Sequence, residues 1–154
     1  MGELRERAIE GKELPAYLHL PHEPATGETF PCVVSIPGMD SCKENGVMMY
    51  GDAFLERGIA VLTIDGPGQA ESVTLGIFVT ATNHMDAAVA TFDWLDAHPA
   101  IDSENLLIRG TSFGTFWGLQ WAAALGVRVK GVAVSGVCHE PGCNTIFNMA
   151  SPSF

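Results

Sequence analysis

The chain has 154 residues, 47% hydrophobic and 17% charged, with a formal net charge of −10 at pH 7. That length and composition suit one globular domain with a real core and exclude a disordered chain. The acidic balance argues against nucleic acid or an anionic membrane as partner, because both would repel it, and no apolar run is long enough to span a bilayer. The first seven residues, MGELRER, are charged and lack the apolar segment of a signal peptide, so a cytoplasmic location is expected.

In chain order, residues 5–9 and 16–20 read as two early strands. Gly11-Lys12 and Leu14-Pro15 lie between them, which predicts an antiparallel hairpin. Residues 21–27 form an exposed turn region. Residues 32–36 are a short apolar strand ending at Pro37-Gly38. Residues 44–57 read as a helix closed by Gly58, with Met48, Met49, Ala53, Phe54 and Leu55 expected on its apolar face. Residues 59–64 are the next buried strand, followed by a loop, Asp65-Gly66-Pro67-Gly68. Residues 82–97 are amphipathic, with Met85, Ala88, Val89, Phe92 and Leu95 at helical spacing and Pro99 beyond. Leu106-Leu107-Ile108 is a strand, residues 115–125 a helix, and residues 129–137 a last apolar strand.

Apolar strands alternating with amphipathic helices predict an α/β fold. A mostly parallel sheet is expected, with helices on both faces. Right-handed crossovers bring the strand ends to one edge, where function in open α/β sheets belongs. That edge collects Pro37 to Asp40, Asp65 to Glu71, Ser112, and Cys138-His139-Glu140. Of the four cysteines, none has a C-x-x-C spacing, and Cys138-His139 with Cys143 matches no standard zinc pattern. No metal is expected. Cys32, in a buried strand, reads as a small apolar residue.

The strongest signal is Gly110-Thr111-Ser112-Phe113-Gly114, a G-x-S-x-G placed between a strand and a helix. A serine at such a turn is held in a strained conformation, and only residues without bulky side chains fit beside it. Its hydroxyl then stands at the sheet edge beside the first N–H groups of a helix, as a nucleophile facing an anion-binding site. Ser112 is the candidate nucleophile. The N–H of Phe113 is one candidate oxyanion donor. The loop after residue 36 supplies the second, the N–H of Met39, with Gly38 permitting the turn.

Other polar residues read as structural. Asp65 comes too early in the chain for the catalytic acid and is expected to cap its own turn. His84 reads as a surface or helix-capping residue. Met48 and Met49 are expected in the core, and Trp117 and Trp121 as helix-packing residues. After Ser112 the only histidine is His139 and the only acidic residue Glu140, too close together to form an acid–histidine relay. The acid and the histidine are therefore expected beyond residue 154.

At these residues the chain resembles the α/β-hydrolase superfamily. Two stretches narrow the resemblance: residues 35–44, SIPGMDSCKE, and residues 65–72, DGPGQAES. They are similar to G-x-D-S-x-K-E followed by D-G-P-G-Q-G-E, a pattern of the branch containing FrsA-like proteins, 2,6-dihydroxypseudooxynicotine hydrolases and fungal polyketide-shortening hydrolases. Ala70 replaces that pattern's glycine, and Thr115 stands where a second glycine often follows the elbow. No stretch of these 154 residues reads as the helical cap that usually precedes the core in this branch.

The resemblance implies a serine hydrolase acting on a small-molecule ester or a ketone-adjacent C–C bond through an acyl-enzyme, with no cofactor. Alternatives are an acyltransferase with the same nucleophile and a non-catalytic binding or regulatory protein on the same fold. The expected organisation is residues 1–154 as the N-terminal part of an α/β-hydrolase core, truncated after about the sixth strand and inactive alone. Self-association through the exposed last strand, around Val132 and Val134, is expected.

Overall fold

Gly11 reverses the chain almost at once. Its φ is +79°, a left-handed conformation that glycine adopts without steric cost. It joins β1 (Gly2–Ile9) to β2 (Lys12–His19) as an antiparallel hairpin. The hairpin agrees with expectation, but Leu14 and Pro15 lie inside β2 and not in the connection. Pro15 lacks an N–H, yet its carbonyl accepts from the N–H of Asp65 at 2.9 Å, and Leu14 and Ala16 beside it are buried. The computed structural model describes residues 2–9 and 11–136, with the side chains of residues 2–9 and of Tyr50 left aside.

Four further strands follow: β3 (Phe30–Ile36), β4 (Ala60–Ile64), β5 (Ile101–Thr111) and β6 (Val129–Ser135). The sheet order is β1-β2-β4-β3-β5-β6. The β2–β4 pair is antiparallel, and β4–β3, β3–β5 and β5–β6 are parallel. All five residues of β4 are buried, which is why its sequence is apolar apart from Thr63, whose hydroxyl donates to the Tyr17 carbonyl at 3.4 Å.

Side chains alternate between the sheet faces. Cys32, Val34 and Ile36, with Leu62, Ile64, Leu106 and Ile108, form the main core. Against them pack Phe92 and Leu95 of α4 (Asn83–Ala97) and Trp121 and Leu125 of α5 (Phe113–Leu125). Ser35 and Thr63 project to the opposite face, toward α1 (Lys43–Gly46). There a Cβ on Gly46 would lie 2.5 Å from Thr63 Cγ2, so only glycine lets this helix approach the sheet so closely.

The structure corrects several expectations. The helix after α1 widens into a π-helical turn (Val47–Gly51) before resuming as α2 (Asp52–Leu55). The wider turn breaks the 3.6-residue period on which the apolar face was read. Met48 and Met49 are 74% and 54% exposed, and Ala53 is exposed as well. A short helix, α3 (Ala70–Thr74), follows the 65–68 loop, in a stretch to which the sequence assigned no element. His84 is only 1% exposed, because α4 turns it inward and not to solvent. Trp121 is fully buried and Trp117 partly so, as expected.

β6 is the outermost described strand on its side of the sheet, with Val132 and Val134 exposed. Val137, Cys138, His139, Glu140 and Cys143 lie outside the described residues. No helix among the described residues is long and apolar enough to cross a membrane.

Candidate active site

Ser112 joins the end of β5 to the start of α5 and has φ +53° and ψ −121°. A non-glycine residue there is strained and persists only where its surroundings enforce it. The enforcement is visible on both sides. A Cβ on Gly110 would lie 2.5 Å from the carbonyl oxygen of Gly114. A Cβ on Gly114 would overlap the carbonyl oxygen of Ile36 and approach that of Pro37 to 2.5 Å. The flanking glycines are thus demanded by close backbone approach.

Two hydrogen bonds complete the turn. The N–H of Ser112 donates to the carbonyl of Ser135 at 2.8 Å, and the N–H of Thr115 to the carbonyl of Ser112 at 2.9 Å. Thr115, fully buried, also donates its hydroxyl to the Ser135 carbonyl at 3.3 Å. Threonine thus fits where the resemblance suggested glycine. Phe113 opens α5, and the Ser112 side chain is exposed.

The loop after β3 reaches the same point. A Cβ on Gly38 would lie 3.3 Å from Ser112 Cβ, so Gly38 and Ser112 are neighbours in space, with Met39 next in the loop. The N–H of Ser41 donates to the Gly38 carbonyl at 3.2 Å. Gln69, 5% exposed, reaches across from the loop after β4. Its Nε2 donates to the carbonyls of Pro37 (3.2 Å) and Gly38 (3.0 Å), and its Oε1 accepts from the N–H of Gly66 at 3.2 Å.

Behind this bridge lies an ion cluster in which Lys43 and Asp65 are buried and Glu44 and Glu71 half exposed. Lys43 Nζ contacts Asp65 Oδ2 at 3.2 Å, Glu44 Oε1 at 2.7 Å and Glu71 Oε2 at 2.6 Å, and sits 4.9 Å from the centre of the Tyr17 ring. Asp65 is fully buried. Its Oδ1 accepts from the N–H of Lys43 at 2.7 Å and its Oδ2 from the N–H of Glu71 at 3.3 Å. Asp65 therefore ties the starts of α1 and α3 to the end of β4. That role is structural, but it is not the expected capping of its own turn, because the N–H of Gly66 goes to Gln69 Oε1 and that of Gly68 to the Ile77 carbonyl.

Burial pulls the Lys43 ammonium down, but hydrogen bonds to Glu44 and Glu71 and the Asp65 charge outweigh that and hold it protonated. Burial raises the Asp65 carboxyl, against the lowering by the Lys43 N–H and ammonium. The roles of Lys43 and Gln69 were not read from the sequence. The signal was present, since both belong to the two stretches that carried the resemblance.

A pocket of about 290 Å³ opens at Ser112. Its wall includes Gly38, Asp40 and Ser41 from the β3 loop, Met49 from the π-helical turn, and Arg109 and Thr111 from β5. Arg109 Nη1 donates to Thr111 Oγ1 at 2.7 Å. No described histidine lines this pocket. His84 lies elsewhere, stacked on Trp117 of α5 with ring centres 3.6 Å apart and planes within 5°. Its Nε2 is 3.2 Å from the carbonyl of Pro67, which assigns the proton to that nitrogen. Burial lowers its pKa to about 4. Cys32 is inert, with burial raising its thiol to about 12.

The structure thus brings Ser112, Phe113, Gly110, Gly114, Gly38 and the Met39 loop to one sheet edge. The family model for FrsA-like esterases ("Esterase FrsA-like") matches residues 1–151. The chain is 31% identical over 121 residues to 2,6-dihydropseudooxynicotine hydrolase of Paenarthrobacter nicotinovorans, covering 79% of this chain and 31% of that protein. It is 35% identical over 119 residues to the 20-hydroxy-prefusarin hydrolase FUS2 of Gibberella moniliformis, covering 74% of this chain and 27% of that one.

Among solved structures, 2,6-dihydroxy-pseudo-oxynicotine hydrolase superposes with a TM-score of 0.70 at 28% identity, over 82% of this chain and 34% of that one. Est1E of Butyrivibrio proteoclasticus, solved with ferulic acid, superposes with a TM-score of 0.69 at 20% identity, over 82% of this chain and 49% of that one, and speaks for the fold alone. The chain spans about a third or less of the length of these curated relatives.

Proposed function

Because the chain belongs to the FrsA-like esterase family of α/β-hydrolases, we propose that it carries the nucleophile and oxyanion-binding parts of a serine hydrolase. Ser112 Oγ attacks the carbonyl carbon of a small-molecule ester or of a ketone-adjacent C–C bond. The N–H groups of Phe113 and Met39 receive the negative charge that develops on the carbonyl oxygen. The serine proton passes to a histidine and then to the leaving alkoxide or carbanion. Water cleaves the acyl-enzyme and regenerates the serine.

The observation that supports this reading best is the strained φ of +53° at Ser112, held by two glycines that admit no Cβ. Such strain concentrates at functional sites. The relatives support hydrolysis as the reaction class, since both are named hydrolases. No described histidine lines the pocket, so the base in this reading comes from outside the described residues.

The test uses the complete natural polypeptide that carries this chain. Fluorophosphonate should add to the peptide containing Ser112, and Ser112→Ala should abolish both labelling and turnover of p-nitrophenyl butyrate. Wild-type turnover by Ser112→Ala would reject the nucleophile assignment.

A further inference from the structure

We infer that Gln69 is a positioning residue that sets the oxyanion-binding geometry of the Gly38–Met39 loop, an inference that rests on the nucleophile reading of Ser112. Three hydrogen bonds fix the orientation of its carboxamide. Nε2 faces two carbonyls, of Pro37 and Gly38, and so must be the donor end. Oε1 faces the N–H of Gly66 and so must be the acceptor end. The side chain is 5% exposed, so water does not compete for these bonds.

The consequence follows from peptide planarity. In a trans peptide the C=O and N–H point in opposite directions. No described peptide bond is cis. Drawing the Gly38 carbonyl toward Gln69 therefore turns the Met39 N–H to the other side of that peptide. Drawing the Pro37 carbonyl the same way does so for the Gly38 N–H. Gly38 is itself within van der Waals range of Ser112, at 3.3 Å from a built Cβ to Ser112 Cβ. A glycine loop would otherwise let that peptide flip. Gln69 restrains it from behind, beside the Ser41 N–H on the same Gly38 carbonyl, and holds the Pro37 carbonyl as well. Asp65 and Lys43 hold the Gln69 loop against the start of α1. The donor is thereby oriented before the negative charge develops, as electrostatic stabilisation of a transition state requires.

Two near-isosteric variants in the complete polypeptide test this. Gln69→Met keeps the volume and removes all three bonds. Gln69→Glu keeps the shape but, when ionised, cannot donate to the two carbonyls. For p-nitrophenyl butyrate, kcat should fall by a factor on the order of 10 to 100 in both, with KM within about threefold. Sites are counted by fluorophosphonate titration, so loss of folded protein does not enter kcat.

Inhibition by an alkyl boronic acid, which places a negative oxygen in the same hole, should weaken by the same factor as kcat/KM. Relative to wild type, Gln69→Glu should recover as pH falls, because the protonated carboxyl donates again. Wild-type kcat per titrated site in both variants, or unchanged boronate affinity alongside a fallen kcat, would overturn the inference. If Ser112→Ala is active, the nucleophile reading fails. If Ser112→Ala is inactive and the Gln69 variants are normal, only the role of Gln69 fails.

Discussion

Lys43 closes on Asp65 twice, with its backbone N–H on Oδ1 at 2.7 Å and its ammonium near Oδ2 at 3.2 Å. The two side chains are 4% and 0% exposed, so neither can turn to water if the other is lost. Removing one partner of such a buried pair costs about 3–5 kcal/mol. Asp65 also receives the N–H of Glu71. Asp65→Ala should therefore be the more destabilising change, since it orphans the backbone N–H groups of Lys43 and Glu71 and leaves the ammonium with Glu44 and Glu71 alone. Lys43→Met keeps those two backbone bonds and takes the cation from the buried Asp65 carboxylate, while Glu44 and Glu71 are half exposed and can turn to water. Urea denaturation of both variants checks the order, and equal losses would show that the backbone bonds contribute little.

The elbow predicts a sharp contrast among three glycines. Gly110→Ala and Gly114→Ala put a methyl group into backbone atoms that cannot yield, and should each cost about 3 kcal/mol or more. Gly118→Ala meets the Ile108 Cγ2 methyl at 3.2 Å, a side chain that can shift. It should stay within about 1 kcal/mol of wild type, helped by the better helix propensity of alanine. Thermal unfolding of the three variants decides this. A well-folded Gly114→Ala protein would contradict the packing at the turn.

His84 predicts a pH dependence of stability. In the fold it resists protonation until about pH 4, below its ordinary value of 6.5, because it is buried. Between those values the unfolded chain binds the proton and the folded chain does not, so the histidine makes stability fall on acidification. The loss across the window is about 3 kcal/mol, and it levels off below the folded pKa. His84→Phe keeps a ring against Trp117 and removes the titration. Chemical denaturation of both proteins from pH 7 to pH 4 should show the wild type losing more, and parallel curves would refute the assignment.

Ala70 sits at φ +33°, in the left-handed region, at the position where the D-G-P-G-Q-G-E pattern has glycine. An L-residue there is strained by about 1–2 kcal/mol, whereas glycine brings an entropic cost of about 0.5–1 kcal/mol. Ala70→Gly should stabilise the protein by about 0.5–1 kcal/mol and raise Tm by a few degrees. A lower Tm would mean that the alanine side chain makes packing contacts worth more than the strain.

What the sequence determined by itself was the class of the fold and the position of the elbow. Continuous apolar strands, amphipathic helices and the spacing Gly110-x-Ser112-x-Gly114 are local signals, and each rests on a short-range rule of backbone sterics or periodicity. The strand order was decided only by tertiary packing, since alternation alone does not say that β4 inserts between β2 and β3. So was the exposure of Met48 and Met49, because a π-helical turn shifts the face that a regular helix would bury. His84 read as a surface or helix-capping residue because a lone histidine near a helix start carries no local mark of burial. Its stacking on Trp117 joins residues far apart in the chain. The bridge from Gln69 to Gly38, and the Lys43–Asp65 pair behind it, are likewise contacts between separate loops. Their residue types stood in the sequence, but their partnership exists only where the parallel strands β3 and β4 bring both loops to one edge.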